Sequence, residues 1–227
     1  MTARSIEGEP TARTKAEQAY LQIEAMIVGE QLPPSSIISE SRLMELTGFG
    51  RTPVREALQR LARARMVEVL PHRGVLIPAI SVEEQLRMLE LRRVLEPLAA
   101  SLAARRADAS DRARLSALLE ELRGDLQDAT AYAETLRQVH ETVGRAAHNA
   151  YLVDAITAVQ GLSRRFWFAH LRDASSEIAR GSALYGQGIA AVLDGDREGA
   201  ERALLALNDY LVEFTRATLD EQGSGLG

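Results

Sequence analysis

Arg51, Thr52, Arg55 and Gln59 stand close together in the run RTPVREALQ. At roughly 100° per residue of helix they share one arc, while Val54, Ala57, Leu58 and Leu61 share an adjoining one. The apolar arc can pack inward and leave the polar arc facing out. The chemistry open to such a polar arc is hydrogen bonding to base edges and phosphates. Arg forks onto guanine, Gln onto adenine, and Thr bonds a phosphate or touches a thymine methyl. A helix N-terminus adds its own attraction for phosphate. Further on, His72, Arg73 and Gly74 close a Pro-led turn, where glycine permits close approach to a backbone.

Other chemistries are poorly served. With no cysteine there is no disulfide, thiolate nucleophile or Cys-ligated metal. The four histidines are His72, His140, His148 and His170, and none has Glu three residues before it, as a di-iron bundle needs. No Gly-rich phosphate loop, nucleophile elbow or paired-His zinc motif is present. No catalytic residue is assigned, and an all-helical enzyme is the weakest reading.

The elements that must position the polar arc follow from pattern and punctuation. Residues 1–14 lack periodicity and read as a disordered arm. Ala19, Ile23, Met26 and Ile27 predict an amphipathic helix over 15–30, ended by Pro33-Pro34. Ser39 predicts the cap of a short helix from Glu40 to about Leu46. Gly48 and Gly50 bracket a turn, and Thr52 then predicts a cap with Pro53 as first helical residue, running to about Ala64. Residues 66–70 and 75–77 read as two short strands joined at 71–74. Helix, helix, helix and hairpin is the order of a winged helix-turn-helix, placed at 15–79.

From 80 to 221 the pattern is wholly helical, with segments at about 82–107, 111–127, 131–147, 150–171, 175–193 and 197–221. Ser110, Thr130, Asn149 and Asp196 are their expected caps. The fold class is therefore mainly α: a winged head with a small β-hairpin, then an antiparallel bundle of about six helices and a flexible tail at 222–227. The net charge is −5, which excludes a wholly basic nucleic-acid protein, yet residues 40–75 hold seven Arg against four Glu. A small basic module on an acidic body fits both facts. No apolar run spans a bilayer and the N-terminus lacks a secretory h-region, so a cytoplasmic protein without membrane contact is expected.

The run from Arg51 to Leu61, then Met66-Val67 and Pro71 to Val75, resembles the winged-helix domain of GntR-family bacterial transcription regulators. Residues 91–100 (LRRVLEPLAA) resemble the opening helix of the effector domain in the FadR subgroup, and His140 with Asn149-Ala150-Tyr151-Leu152 resembles its centre. The resemblance implies a homodimer on a palindromic double-stranded operator, acting as a repressor controlled by a small anionic metabolite, such as a carboxylate. It assigns DNA contacts to Arg51, Thr52 and Arg55, with Arg42, Gln59, His72, Arg73 and Gly74 beside them. The alternative is a DNA-binding protein whose bundle only dimerises.

Many members of the subgroup hold a divalent metal with one Asp and three His. Here only His140 matches. Leu136 replaces the Asp, and the other two positions fall at Tyr185 or Gly186 and at Leu207 or Asn208. One histidine is too few for zinc or its neighbours, so no metal or other cofactor is expected. The effector-pocket candidates are Arg92, His140, Tyr185 and Asn208, with Glu96 the internal alternative partner of Arg92. The aromatic run Phe166-Trp167-Phe168 reads as core or dimer packing.

Overall fold

The computed structural model describes residues 13–124 and 128–224. Most of the expected N-terminal arm thus lies outside the described residues, as do the last three positions of the expected tail. Thr14 is already structural: its side chain accepts from the Glu17 amide and caps α1, Lys15–Val28.

The head is built from α1, a strand β1 at Ile37–Ile38, α2 at Glu40–Thr47, α3 at Arg51–Arg63, β2 at Glu68–Leu70 and β3 at Gly74–Leu76. Ser39 caps α2 as expected. The next helix starts earlier than expected. Gly50, not Thr52, is its N-cap, and Pro53 is its third residue. Proline is still harmless there, because first-turn amides have no partner within the helix. The wing gains a third strand: β1 pairs antiparallel with β3, giving the order β1-β3-β2. Two isoleucines after a proline turn were too short a run to read as a strand. Ala19, Ile23, Ile27, Leu43, Val54, Ala57, Leu61, Val75 and Ile77 form the head's core.

Gly74 has φ +114°, and a Cβ there would lie 2.7 Å from the Ile38 carbonyl oxygen. Both facts demand glycine where β1 and β3 meet. Gly74→Ala is expected to cost about 1–3 kcal/mol of head stability, read as a lower midpoint in thermal unfolding.

The bundle comprises α4 at Val82–Arg106, α5 at Ala109–Arg123, α6 at Ala129–Ala146, α7 at Ala150–Ala169, α8 at Ala174–Asp194 and α9 at Arg197–Ser224. All six expected segments form. Residues 222–224, expected in the tail, continue α9. Asn149 caps α7, and Asp196 accepts from the Gly199 amide near the start of α9. Two caps shift by two residues: Asp108 rather than Ser110 starts α5, and Asp128 rather than Thr130 starts α6. In each case the carboxylate precedes the hydroxyl and is the stronger acceptor for an orphan amide.

α4 is central, packing against α6, α7, α8 and α9. Its alanines at 99, 100, 103 and 104 are buried and let neighbours approach closely. Trp167 is buried, stacks near Tyr132, Phe168 and Phe214, and donates its indole N–H to Tyr210 at 2.9 Å. That settles it as bundle core. The head docks on α7, whose Leu162 enters the head's apolar core. Gly161 makes this possible, since a Cβ there would meet Glu24 at 3.1 Å and Met66 at 3.4 Å.

Candidate functional site

The outer face of α3 carries the predicted constellation. Arg51, Thr52, Arg55 and Gln59 are all exposed, while Val54, Ala57, Leu58 and Leu61 are buried. Gly50 offers no side-chain cap, and the first turn holds no acid. The first amides of α3 therefore remain open to a phosphate oxygen. Arg55 donates through Nε to Glu40 of α2 at 2.8 Å. One edge of the guanidinium is anchored, and both Nη groups stay available for a guanine O6 and N7. Glu40 escaped the sequence reading because α2 and α3 meet only in the fold. Arg42, also exposed, pairs with Glu45 on its own helix at 3.0 Å.

At the wing tip His72 and Arg73 are exposed, and His72 takes φ 61°. Among the described residues, neither Arg51 nor Arg73 forms an ion pair or side-chain hydrogen bond. Arg60, an exposed cation further along α3, lies over the Tyr20 ring, 4.4 Å from its centroid.

The second polar centre is inside the bundle. Arg92 is buried and forks onto Glu96, with both N···O distances 3.1 Å. It also donates to Ser163 at 2.7 Å and to Tyr185 at 3.4 Å. Gln160 donates to the same Glu96 carboxylate at 2.9 Å. Tyr185 meets His140 Nε2 at 2.9 Å, and His140 Nδ1 meets Arg164 at 3.3 Å. Arg164 then reaches Glu24 on α1 at 2.7 Å, with both side chains 6% exposed. Hydrogen bonds thus run unbroken from Glu96 in the bundle to the first helix of the head. An arginine can only donate, so Nδ1 of His140 must accept and its proton sits on Nε2.

Of the four effector candidates, Arg92, His140 and Tyr185 come together. Asn208 does not join them: it donates to the Leu89 carbonyl at 3.0 Å and accepts from Arg93 at 3.4 Å, tying α9 to α4. Glu24, Gln160, Ser163 and Arg164 complete the network and were missed. Their signal was local: Glu24 lies among apolar α1 positions, and Arg164 within the apolar run before Phe166. Its neighbour Arg165 is buried, and neither terminal nitrogen has a hydrogen-bond partner.

These donors do not suit a metal ion. Both nitrogens of His140 are occupied, one by a guanidinium whose charge would repel a cation. Elsewhere Asp108, Asp111 and His148 place ligand atoms within 4.8 Å of one another. Asp108 caps α5, and Asp111 is paired with Arg145 at 2.9 Å and with His148 at 3.3 Å. Protein donors already satisfy that cluster.

Burial first, then the Arg164 and Arg92 charges, pushes His140 well below its usual pKa of 6.5. The folded chain keeps the ring neutral where the unfolded chain takes up a proton. Stability tied to the neutral ring is complete above pH 6.5 and falls as pH drops below it. The slope reaches about 1.4 kcal/mol per pH unit. Denaturant titrations from pH 7 to 5 are expected to show a shallower loss for His140→Gln than for the wild type.

The bundle's centre is nearly full. Cavities among the described residues there hold about 30 Å³, between His140, Gln160 and Tyr185, and about 20 Å³, between Arg92, Tyr132 and Trp167. Each has room for little more than a water. A groove of about 680 Å³ lies outside, between α1 and α3 of the head and α6 and α7 of the bundle.

Comparison with known proteins matches this two-part build. The profile described as "Bacterial regulatory proteins, gntR family" matches residues 15–77, and that described as "FCD domain" matches residues 87–209. The chain is 30% identical to the probable D-xylose utilization operon transcriptional repressor of Paenarthrobacter nicotinovorans, over 94% of this chain and 92% of that protein. It is 26% identical to the galactonate operon transcriptional repressor of Escherichia coli strain K12, over 85% of this chain and 93% of that protein. Among solved structures, E. coli McbR/YncC superposes with a TM-score of 0.73 at 21% identity, over 92% of this chain and 100% of that one. That likeness is one of fold.

Proposed function

The chain belongs to the GntR family of bacterial regulatory proteins, with an FCD domain behind the gntR-type head, and from that premise we propose a metabolite-controlled repressor. It is a DNA-binding transcriptional regulator rather than an enzyme. In the proposed mechanism it binds a palindromic operator as a homodimer in the cytoplasm. A small metabolite then favours one placement of the heads over another by its differential affinity. The observation that carries this reading is the polar face of α3, exposed on a head that the Glu24–Arg164 pair ties to the bundle. Two relatives named as operon repressors support the sign of control. Arg42, Thr52, Gln59, His72, Arg73 and Gly74 are proposed to flank the Arg51 and Arg55 contacts. An anionic effector would reach Arg92 by taking the place of the Glu96 carboxylate, with His140 and Tyr185 beside it. Asn208 then serves α4–α9 packing rather than the effector.

The homodimer has a surface to form on. Leu91, Val94 and Leu98 lie on one face of α4 and are 53%, 68% and 46% exposed. Leu95 and Leu102, on the same face, are partly buried. Apolar side chains so disposed along one helix suit a twofold contact, in which the same patch meets itself. Val94→Glu is expected to place two carboxylates in that contact and shift the protein to monomer, measured by sedimentation equilibrium.

Selection of bound fragments from genomic DNA by the purified protein, over a salt series, tests the whole reading. A recovered palindrome whose binding weakens with salt is the expected result. Salt-sensitive binding without sequence preference, or no binding at all, would overturn it.

A further inference from the structure

We propose that the groove between head and bundle is a ligand site for a zwitterion with an apolar body, of the amino-acid type. This goes beyond the effector reading at Arg92 and does not depend on it. Size is the first argument. The groove's roughly 680 Å³ lies within the range of small-molecule sites, about 300–1,000 Å³, whereas the cavities of the bundle's centre hold about 30 and 20 Å³.

Charge is the second. Among the groove's cations, Arg137 is held by Glu134 and Glu141, Arg145 by Asp111, and Arg164 by Glu24. Arg60 has no carboxylate partner among the described residues and is steadied only by the Tyr20 ring. Glu17 and Asp154 line the same groove without a cationic partner among the described residues. Unpaired charges of both signs therefore face it, on a lining that also offers Leu21, Val153 and Ile156. A carboxylate suits Arg60, an ammonium suits the acids, and an apolar body suits the rest.

Position is the third argument. Arg60 belongs to the helix that carries the DNA-reading face, and Val153 and Asp154 belong to α7 of the bundle. Any ligand seated here touches both parts, so its affinity depends on how the head sits. The Glu24–Arg164 pair and His140 also line the groove, and they are the near end of the bundle's hydrogen-bond chain.

Titration calorimetry of the full-length protein with L-phenylalanine, phenylacetate and phenethylamine tests the class. Saturable binding of L-phenylalanine, at least about tenfold tighter than either singly charged analogue, is the expected result. Arg60→Gln and Asp154→Asn should each weaken it about fivefold or more, with far-UV circular dichroism showing that both variants fold. Phenylacetate binding as well as L-phenylalanine would overturn the zwitterion class. Absence of saturable binding, or binding indifferent to both substitutions, would overturn the site. The genomic selection is a separate readout. An operator recovered from it while the titration fails leaves the regulator standing and removes the groove alone.

Discussion

An Arg51→Ala, Arg55→Ala double variant is expected to lose about two to four orders of magnitude in operator affinity while retaining its fold. Both side chains are exposed, and among the described residues the only ion pair lost is the surface one between Arg55 and Glu40. Such pairs contribute about 0–1 kcal/mol, so the melting midpoint should move little. A bidentate arginine–guanine contact contributes about 1–3 kcal/mol of discrimination, and each 1.4 kcal/mol is tenfold in affinity. Fluorescence anisotropy with operator and scrambled duplexes, at several salt concentrations, separates base reading from phosphate binding. Loss concentrated on the operator marks base contacts. Equal loss on both duplexes would reduce the two arginines to phosphate anchors and defeat the assignment. Lysine at either position should rescue poorly, because an ammonium cannot reproduce the planar fork.

The second large effect is on stability. Arg92→Leu is expected to cost about 3–5 kcal/mol, since it leaves the buried Glu96 charge with Gln160 as its remaining donor. At about 2–4 °C per kcal/mol for a chain of this size, the midpoint should fall by roughly 10 °C. Arg92→Leu combined with Glu96→Leu removes both charges together and should recover most of the loss. This follows because a buried ion pair and a well-packed apolar pair are often close in stability. Thermal unfolding of the two single variants and the double variant completes the cycle. A double variant as unstable as the sum of the singles would mean that the two residues act independently. Arg165, on α7, provides a contrast. It is buried with no hydrogen-bond partner for its terminal nitrogens, where Arg92 is fully bonded.

What could be read before folding was whatever depends on neighbours along the chain. The six bundle helices, the cap at Ser39, the polar arc of α3 and the Gly74 turn all follow from local spacing, and all appear. The errors are also local. β1 is two residues long, and Asp108 and Asp128 stand two residues before the hydroxyls expected to cap their helices. The buried network was out of reach for another reason. Arg92 and Glu96 are one helical turn apart, so their pairing could be weighed from spacing alone. The links from His140 to Tyr185 and from Arg164 to Glu24 join residues 45 and 140 positions apart. Nothing in either neighbourhood names the other. Asn208, a position suggested by resemblance, is buried and bonds across α9 and α4 instead of joining the Arg92, Tyr185 and His140 group.

The seat of Trp167 decides how this protein will look to a spectroscopist. It is the chain's single tryptophan, enclosed by aromatic rings and bonded through its indole N–H to Tyr210. Selectively excited emission therefore reports chiefly the interior of the bundle, while backbone circular dichroism registers bundle and head alike. If the two signals part company during heating, the reading head is letting go of its scaffold before the scaffold melts.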